Sequence, residues 1–158
     1  MVLAGEPQNV RPVATVRGYS SMSHNGFAGT WKLDLAKSDI PPVTKSQILT
    51  IDTDGANVSM REELVNDNDE HLVIAVQGKF DGHDNPVTGT PFADTVSYRL
   101  LNPHTIEGVA KKNGRICVKE TAVLSVTEDV VRVTYEIYNE HGNIQTAHGI
   151  FERIASSS

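Results

Sequence analysis

From Phe27 onward the chain alternates apolar with polar residues in short runs, and a turn signal cuts off each run. A period of two marks a strand with one face turned toward a core. Trp31, Leu33 and Leu35 alternate with Thr30, Lys32 and Asp34, and Leu72, Ile74, Val76 and Phe80 share one phase. The interruptions read Asp54-Gly55, Asn102-Pro103, Asn113-Gly114, Glu128-Asp129 and His141-Gly142-Asn143. Several of these suit tight hairpins, whose primed turns require positive φ. No window joins helical periodicity to capping signals. The expected fold is all-β, a single antiparallel up-and-down β-barrel of about nine strands at a spacing of roughly 10 to 13 residues. Closure would remove the exposed strand edges. A two-sheet sandwich shows the same alternation and is the competing architecture, so alternation alone does not decide closure.

Size and charge narrow the function classes. A chain of 158 residues suits one domain and buries enough surface to need neither disulfide nor metal. The single cysteine, Cys117, lies in an apolar alternating stretch and reads as core filler. The net charge of −6, with scattered basic residues, argues against nucleic acid, whose phosphates need clustered Lys and Arg. No apolar run approaches the roughly 20 residues of a membrane span. The first seven residues, Met1 to Pro7, lack a basic start and an apolar centre, which points to the cytoplasm; a chain trimmed of its leader would read the same. Residues 1–26, with Pro7, Pro12 and Gly18, are expected to form an arm or disordered leader, residues 27–154 the barrel, and residues 155–158 a tail. Neither composition nor pattern decides between a monomer and a homodimer.

The two ends of the alternating region carry a resemblance. Phe27-Ala28-Gly29-Thr30-Trp31-Lys32-Leu33 resembles the opening strand of fatty-acid-binding proteins and holds the Gly-x-Trp signature of lipocalins. Gly149-Ile150-Phe151-Glu152-Arg153-Ile154 is similar to the close of the last strand in fatty-acid-binding proteins. The resemblance implies a calycin barrel whose closed end is plugged by Trp31, with Arg153 lying across the indole. The chain also resembles a group of small bacterial lipocalin-like proteins that begin Gly-Thr-Trp-Lys-Leu-x-x-Ala-Lys-Ser, here Gly29 to Ser38, and share the segment Phe80 to Gly89 followed by Ala93-Asp94-Thr95-Val96-Ser97. That second likeness implies no activity. Two departures limit the first. Only Ala36 to Thr44, with two prolines, follows the opening strand, so no helix–turn–helix lid is expected. The Arg and Tyr that anchor a fatty-acid carboxylate correspond here to Gly149 and Phe151, so that mode of binding is not expected.

Polar residues in phase with an apolar interior are the informative ones. Glu62 shares its phase with Val58, Met60 and Leu64, and Glu120 with Ile116, Val118, Ala122 and Leu124. Burial raises a carboxylate's pKa, which is how a general acid or base near neutral pH arises. A β-bulge that flips the phase is the plainer reading. Tyr98 is in phase with Val96 and Leu100, and Tyr135 with Val131, Val133 and Ile137; each could offer a hydroxyl to a guest or simply pack. His148 shares a face with Ile144, Thr146 and Ile150, as an acid/base or haem-type ligand. That phase conflicts with the one the resemblance implies, in which Gly149, Phe151 and Arg153 point inward, and a bulge at Gly149 would reconcile them. Asp81 to Gly89 reads as an ordered turn, with His83 and Asp84 as a polar pair at a barrel mouth in the functional reading.

No phosphate loop, metal cluster, nucleophile elbow or cofactor motif appears in the sequence. The expected function is binding of a small, largely apolar (hydrophobic) molecule inside the barrel, with Glu62, Tyr98, Glu120, Tyr135 and Phe151 lining it. The alternative is an enzyme of isomerase, cyclase or hydrolase type, with Glu120, His148 or Tyr98 as acid/base. Whether the chain is an enzyme stays open, and a filled barrel serving as an interaction domain is the third reading.

Overall fold

The computed structural model describes residues 26–41 and 44–156. Residues 1–25, which make up nearly all of the expected leader, lie outside the described residues, as do 42, 43, 157 and 158. Ten strands form among the described residues: β1 (Gly29–Leu33), β2 (Thr44–Thr53), β3 (Asn57–Asn66), β4 (His71–Lys79), β5 (Asn85–Thr88), β6 (Thr95–Asn102), β7 (Thr105–Lys112), β8 (Arg115–Leu124), β9 (Val130–Tyr138) and β10 (Ile144–Ser156). Each pairs antiparallel with the next, and β10 returns to β1, closing an up-and-down barrel. The architecture is the barrel and not the sandwich. One strand more than the expected nine is present. It is β5, inside the Asp81 to Asp94 connection, where Asn-Pro and Thr-Gly steps had read as turns only.

The turn chemistry works as the punctuation suggested. Asn113 and Gly114 both take positive φ, 52° and 77°, the pairing that a two-residue primed turn requires. In the Asp81 segment, the Asp81 carboxylate accepts from the His83 amide at 3.0 Å, and the Asn85 amide donates to the carbonyls of His83 and Val96. These bonds fold the chain back so that β5 can bridge β4 and β6 through two residue pairs on each side.

Between β1 and β2 stands one 3₁₀ turn, Leu35–Lys37, capped by Asp34, whose side chain accepts from the amides of Ala36 and Lys37. The segment serves as a strap. Five-residue β1 covers only the far part of thirteen-residue β10, and Asp34 to Asp39 satisfies the next stretch of its edge. Asp34 donates to Ile150, Ile150 donates to the Ser38 hydroxyl, and Asp39 and His148 exchange backbone bonds at 2.8 and 2.7 Å.

One end of the barrel is closed by a cluster of buried side chains. Trp31 has no exposed surface, and Phe27, Val131, Leu124 and Phe151 are buried with it. The indole N–H donates to the carbonyl of Phe27 at 2.9 Å, so the polar atom of a fully buried ring is satisfied. The Arg153 guanidinium lies 4.2 Å from the Trp31 ring centroid. It donates to the carbonyls of Glu128, Ala28 and Gly26. Cation and π face meet where the resemblance implied, and the same guanidinium ties three chain segments together across the barrel end.

Candidate functional site

The strand register decides which side chains meet inside. Residues directly opposite on neighbouring strands share a face, and one such row runs Tyr98, Gly108, Glu120, Tyr135, Ala147 across β6 to β10. A second row, Leu49, Glu62, Ile74, spans β2 to β4. In a ring of ten strands β3 stands opposite β8, so Glu62 and Glu120 face each other from opposing walls. Both keep part of their surface open to the space between.

That space has two parts, which share Met60, Glu62, Tyr98 and Glu120 in their walls. One, about 30 Å³, includes Gln47, Met60, Glu62, Tyr98, Glu120 and Tyr135 in its wall. The other, about 150 Å³, reaches Val87, Thr90 and Ala93 beside β5 and is walled by Met60, Glu62, Tyr98 and Glu120 as well. Its volume matches a cavity that holds a guest the size of benzene. All five expected lining residues, Glu62, Tyr98, Glu120, Tyr135 and Phe151, fall on this lumen.

Cross-strand register decides the phase of β8 and of β10. A bulge does occur in β8, but at Cys117: Ala110 pairs with Val118 and Lys111 with Ile116. It turns Ile116 outward, 43 % exposed, and leaves Glu120 in phase with Ala122, which lines the lumen. On β10 the inward set is Ala147, Gly149 and Phe151, so the phase implied by the resemblance holds and His148 points outward. His148 pairs with Thr134, on the face opposite Tyr135, and its backbone holds the strap. The expectation of His148 as an interior acid/base or haem ligand is therefore corrected. No bulge at Gly149 intervenes, since register is continuous from Ile144 to Glu152.

The lumen is polar in a lopsided way. Gln47 donates to Glu62 at 2.9 Å, and Tyr98 donates to the Met60 sulfur at 3.4 Å, a weak acceptor. The Glu120 carboxyl and the Tyr135 hydroxyl have no hydrogen-bond partner among the described residues. Desolvation, with the facing Glu62 charge, pushes the Glu120 carboxyl up to about 8. Burial raises Glu62 too, while the Gln47 bond opposes the rise. Burial first, then the two carboxylates, lift both phenols well above their ordinary value, so Tyr98 and Tyr135 stay neutral. Like charges facing across an apolar space favour one shared proton, and the Gln47 donor favours the charged form of Glu62.

Sequence reading missed Gln47 and Gly108, and gave Gly149 no steric role. Gln47 was legible, being in phase with Leu49 and Ile51 on β2. Gly108 and Gly149 act by what they omit. A Cβ on Gly108 would stand 3.3 Å from the Tyr98 ring, and one on Gly149 would stand 3.1 and 3.4 Å from Phe151 and Tyr135. Their bare backbones let these aromatic rings lie along the wall. His83 forms its pair with Asp81 on an 84 % exposed side chain, and Asp84 pairs with Lys111; neither lines the lumen. No helix among the described residues is long and apolar enough to cross a membrane. No protein-family model matches the sequence, and no curated protein matches it.

Proposed function

We propose that this protein binds a small, largely apolar molecule in the barrel lumen and orients it through Glu120 and Tyr135. One observation carries the reading: an apolar interior space contains a carboxyl and a phenol that have no partner of their own. Buried polar groups are costly unless hydrogen-bonded, and a guest with one polar end would satisfy both. The shape of the barrel, the Trp31–Arg153 plug and the Gly29-Thr30-Trp31 start support membership of the lipocalin-like group, within which an enclosed ligand site is the expected use. Gly149 and Phe151 at the anchor positions speak against a fatty acid, because no cation replaces the missing Arg among the described lining residues.

Native mass spectrometry of the protein isolated from its own host tests the proposal. A retained extra mass of small-molecule size, released on acid denaturation, is the expected result. Bare protein under conditions that keep the barrel folded would count against it.

Acid–base catalysis on a bound molecule is the second reading. It is favoured by the different settings of the two carboxyls: Glu120 is pushed up to about 8, while Glu62 accepts a hydrogen bond from Gln47. Turnover lost in Glu120→Gln, with guest binding retained, would promote this reading over the first.

A further inference from the structure

We propose that the guest is an organic cation, a protonated amine carried on a compact apolar body of about six to ten non-hydrogen atoms. The inference rests on the lumen-binding reading and adds the charge of the guest. It follows from charge balance. Glu62 and Glu120 face each other in the lumen, and no Lys, Arg or His is among the described residues that line it. Arg153, which could have served, is committed to three backbone carbonyls and the Trp31 ring at the plugged end. The remaining polar lining is neutral: Gln47, Thr90 and the two phenols. An anionic guest would meet two acids and no counter-charge. A neutral guest would leave the two facing carboxyl groups without a counter-charge in an apolar space. An ammonium meets a carboxyl group on each wall, and no cation among the described lining residues opposes it. The size follows from the cavity of about 150 Å³.

The raised Glu120 carboxyl holds a proton at neutral pH. An arriving ammonium competes with it, so binding should release a proton at neutral pH and tighten as pH rises toward about 8. The groups that face Glu120 are consistent with this coupling. Glu62 comes from β3, Gln47 from β2, Tyr98 from β6 and Tyr135 from β9, while β7 offers only Gly108 at that level.

Isothermal titration calorimetry with three probes of one shape tests the proposal: benzylammonium, benzyl alcohol and benzoate, at pH 7 in two buffers of different ionisation enthalpy. Benzylammonium should bind about tenfold or more tighter than benzyl alcohol, with proton release revealed by the buffer difference, and benzoate should give no binding. Glu120→Gln and Glu62→Gln should each weaken benzylammonium by about tenfold and leave benzyl alcohol nearly unchanged. If benzyl alcohol binds as tightly as the amine, or the amine is indifferent to both variants, the cation inference falls and the lumen reading stands. If no probe binds at millimolar concentration, both fall. The amine–alcohol comparison uses the unmodified protein, so it decides the matter even if a variant fails to fold.

Discussion

Glu120 is held in place by β8 backbone pairing on both sides, to Gly108 and Tyr135, and its carboxyl has no bond of its own among the described residues. A carboxyl whose folded pKa is raised to about 8 binds its proton more tightly folded than unfolded. Its stabilising contribution is fully present below the unfolded value near 4.5 and is lost as pH climbs through 8. Urea unfolding should therefore show a stability loss of roughly 4 kcal/mol between pH 5 and pH 9 from this group. Glu120→Gln should flatten most of that slope; an unchanged slope would place the titration elsewhere. At this scale the sequence was readable wherever phase was unbroken. Glu62, Tyr98 and Tyr135 follow from alternation alone. His148 did not, because two phases were open on the last strand, and only cross-strand register separates the face of Tyr135 from that of Thr134. The proton on Glu120 was legible only as a tendency, since the facing wall of β3 is not adjacent in sequence.

At the scale of elements, the plug and the short strand are the parts that give most. Arg153→Ala removes three charge-assisted donors and uncovers Trp31. It should cost about 2 to 3 kcal/mol of stability. Arg153→Lys should recover little, because an ammonium cannot spread over the ring and reach three carbonyls as the planar fork does. Chemical denaturation of the two variants checks both statements. The short strand β5 depends on the turn that follows it. Gly89 has φ +88°, and a Cβ there would stand 1.7 Å from the carbonyl oxygen of Val73. Gly89→Ala should cost more than about 2 kcal/mol and speed amide exchange at Val87 first, since Val87 lies in β5 and donates to Asp94. Sequence punctuation marked this segment as a turn; that four of its residues also pair as a strand was hidden, because Pro86 and Gly89 are signals against a strand. The proline is tolerated because β5 engages each neighbour through only two residue pairs.

Over the whole molecule, the barrel divides its interior between structure and site. The end with Trp31, Phe27 and Arg153 is closed by buried side chains and by the guanidinium's three backbone bonds. Further along, the walls carry two acids, two phenols and a glutamine around a small space. Alternation and turn residues made the all-β barrel readable, and the opening and closing strands made its closed end readable. The lumen's chemistry needed the ring order, because only a closed ten-strand circuit sets β3 against β8. The most direct measurement is a ¹³C NMR titration of the glutamate side-chain carboxyls in the guest-free protein, repeated with benzylammonium. The expected result is one glutamate, lost in Glu120→Gln, that titrates near 8 and moves to lower pH when the amine is added. If every glutamate titrates in the ordinary carboxylate range near 4.3, with or without the amine, the lumen is an open, watered space and not a site built for a guest.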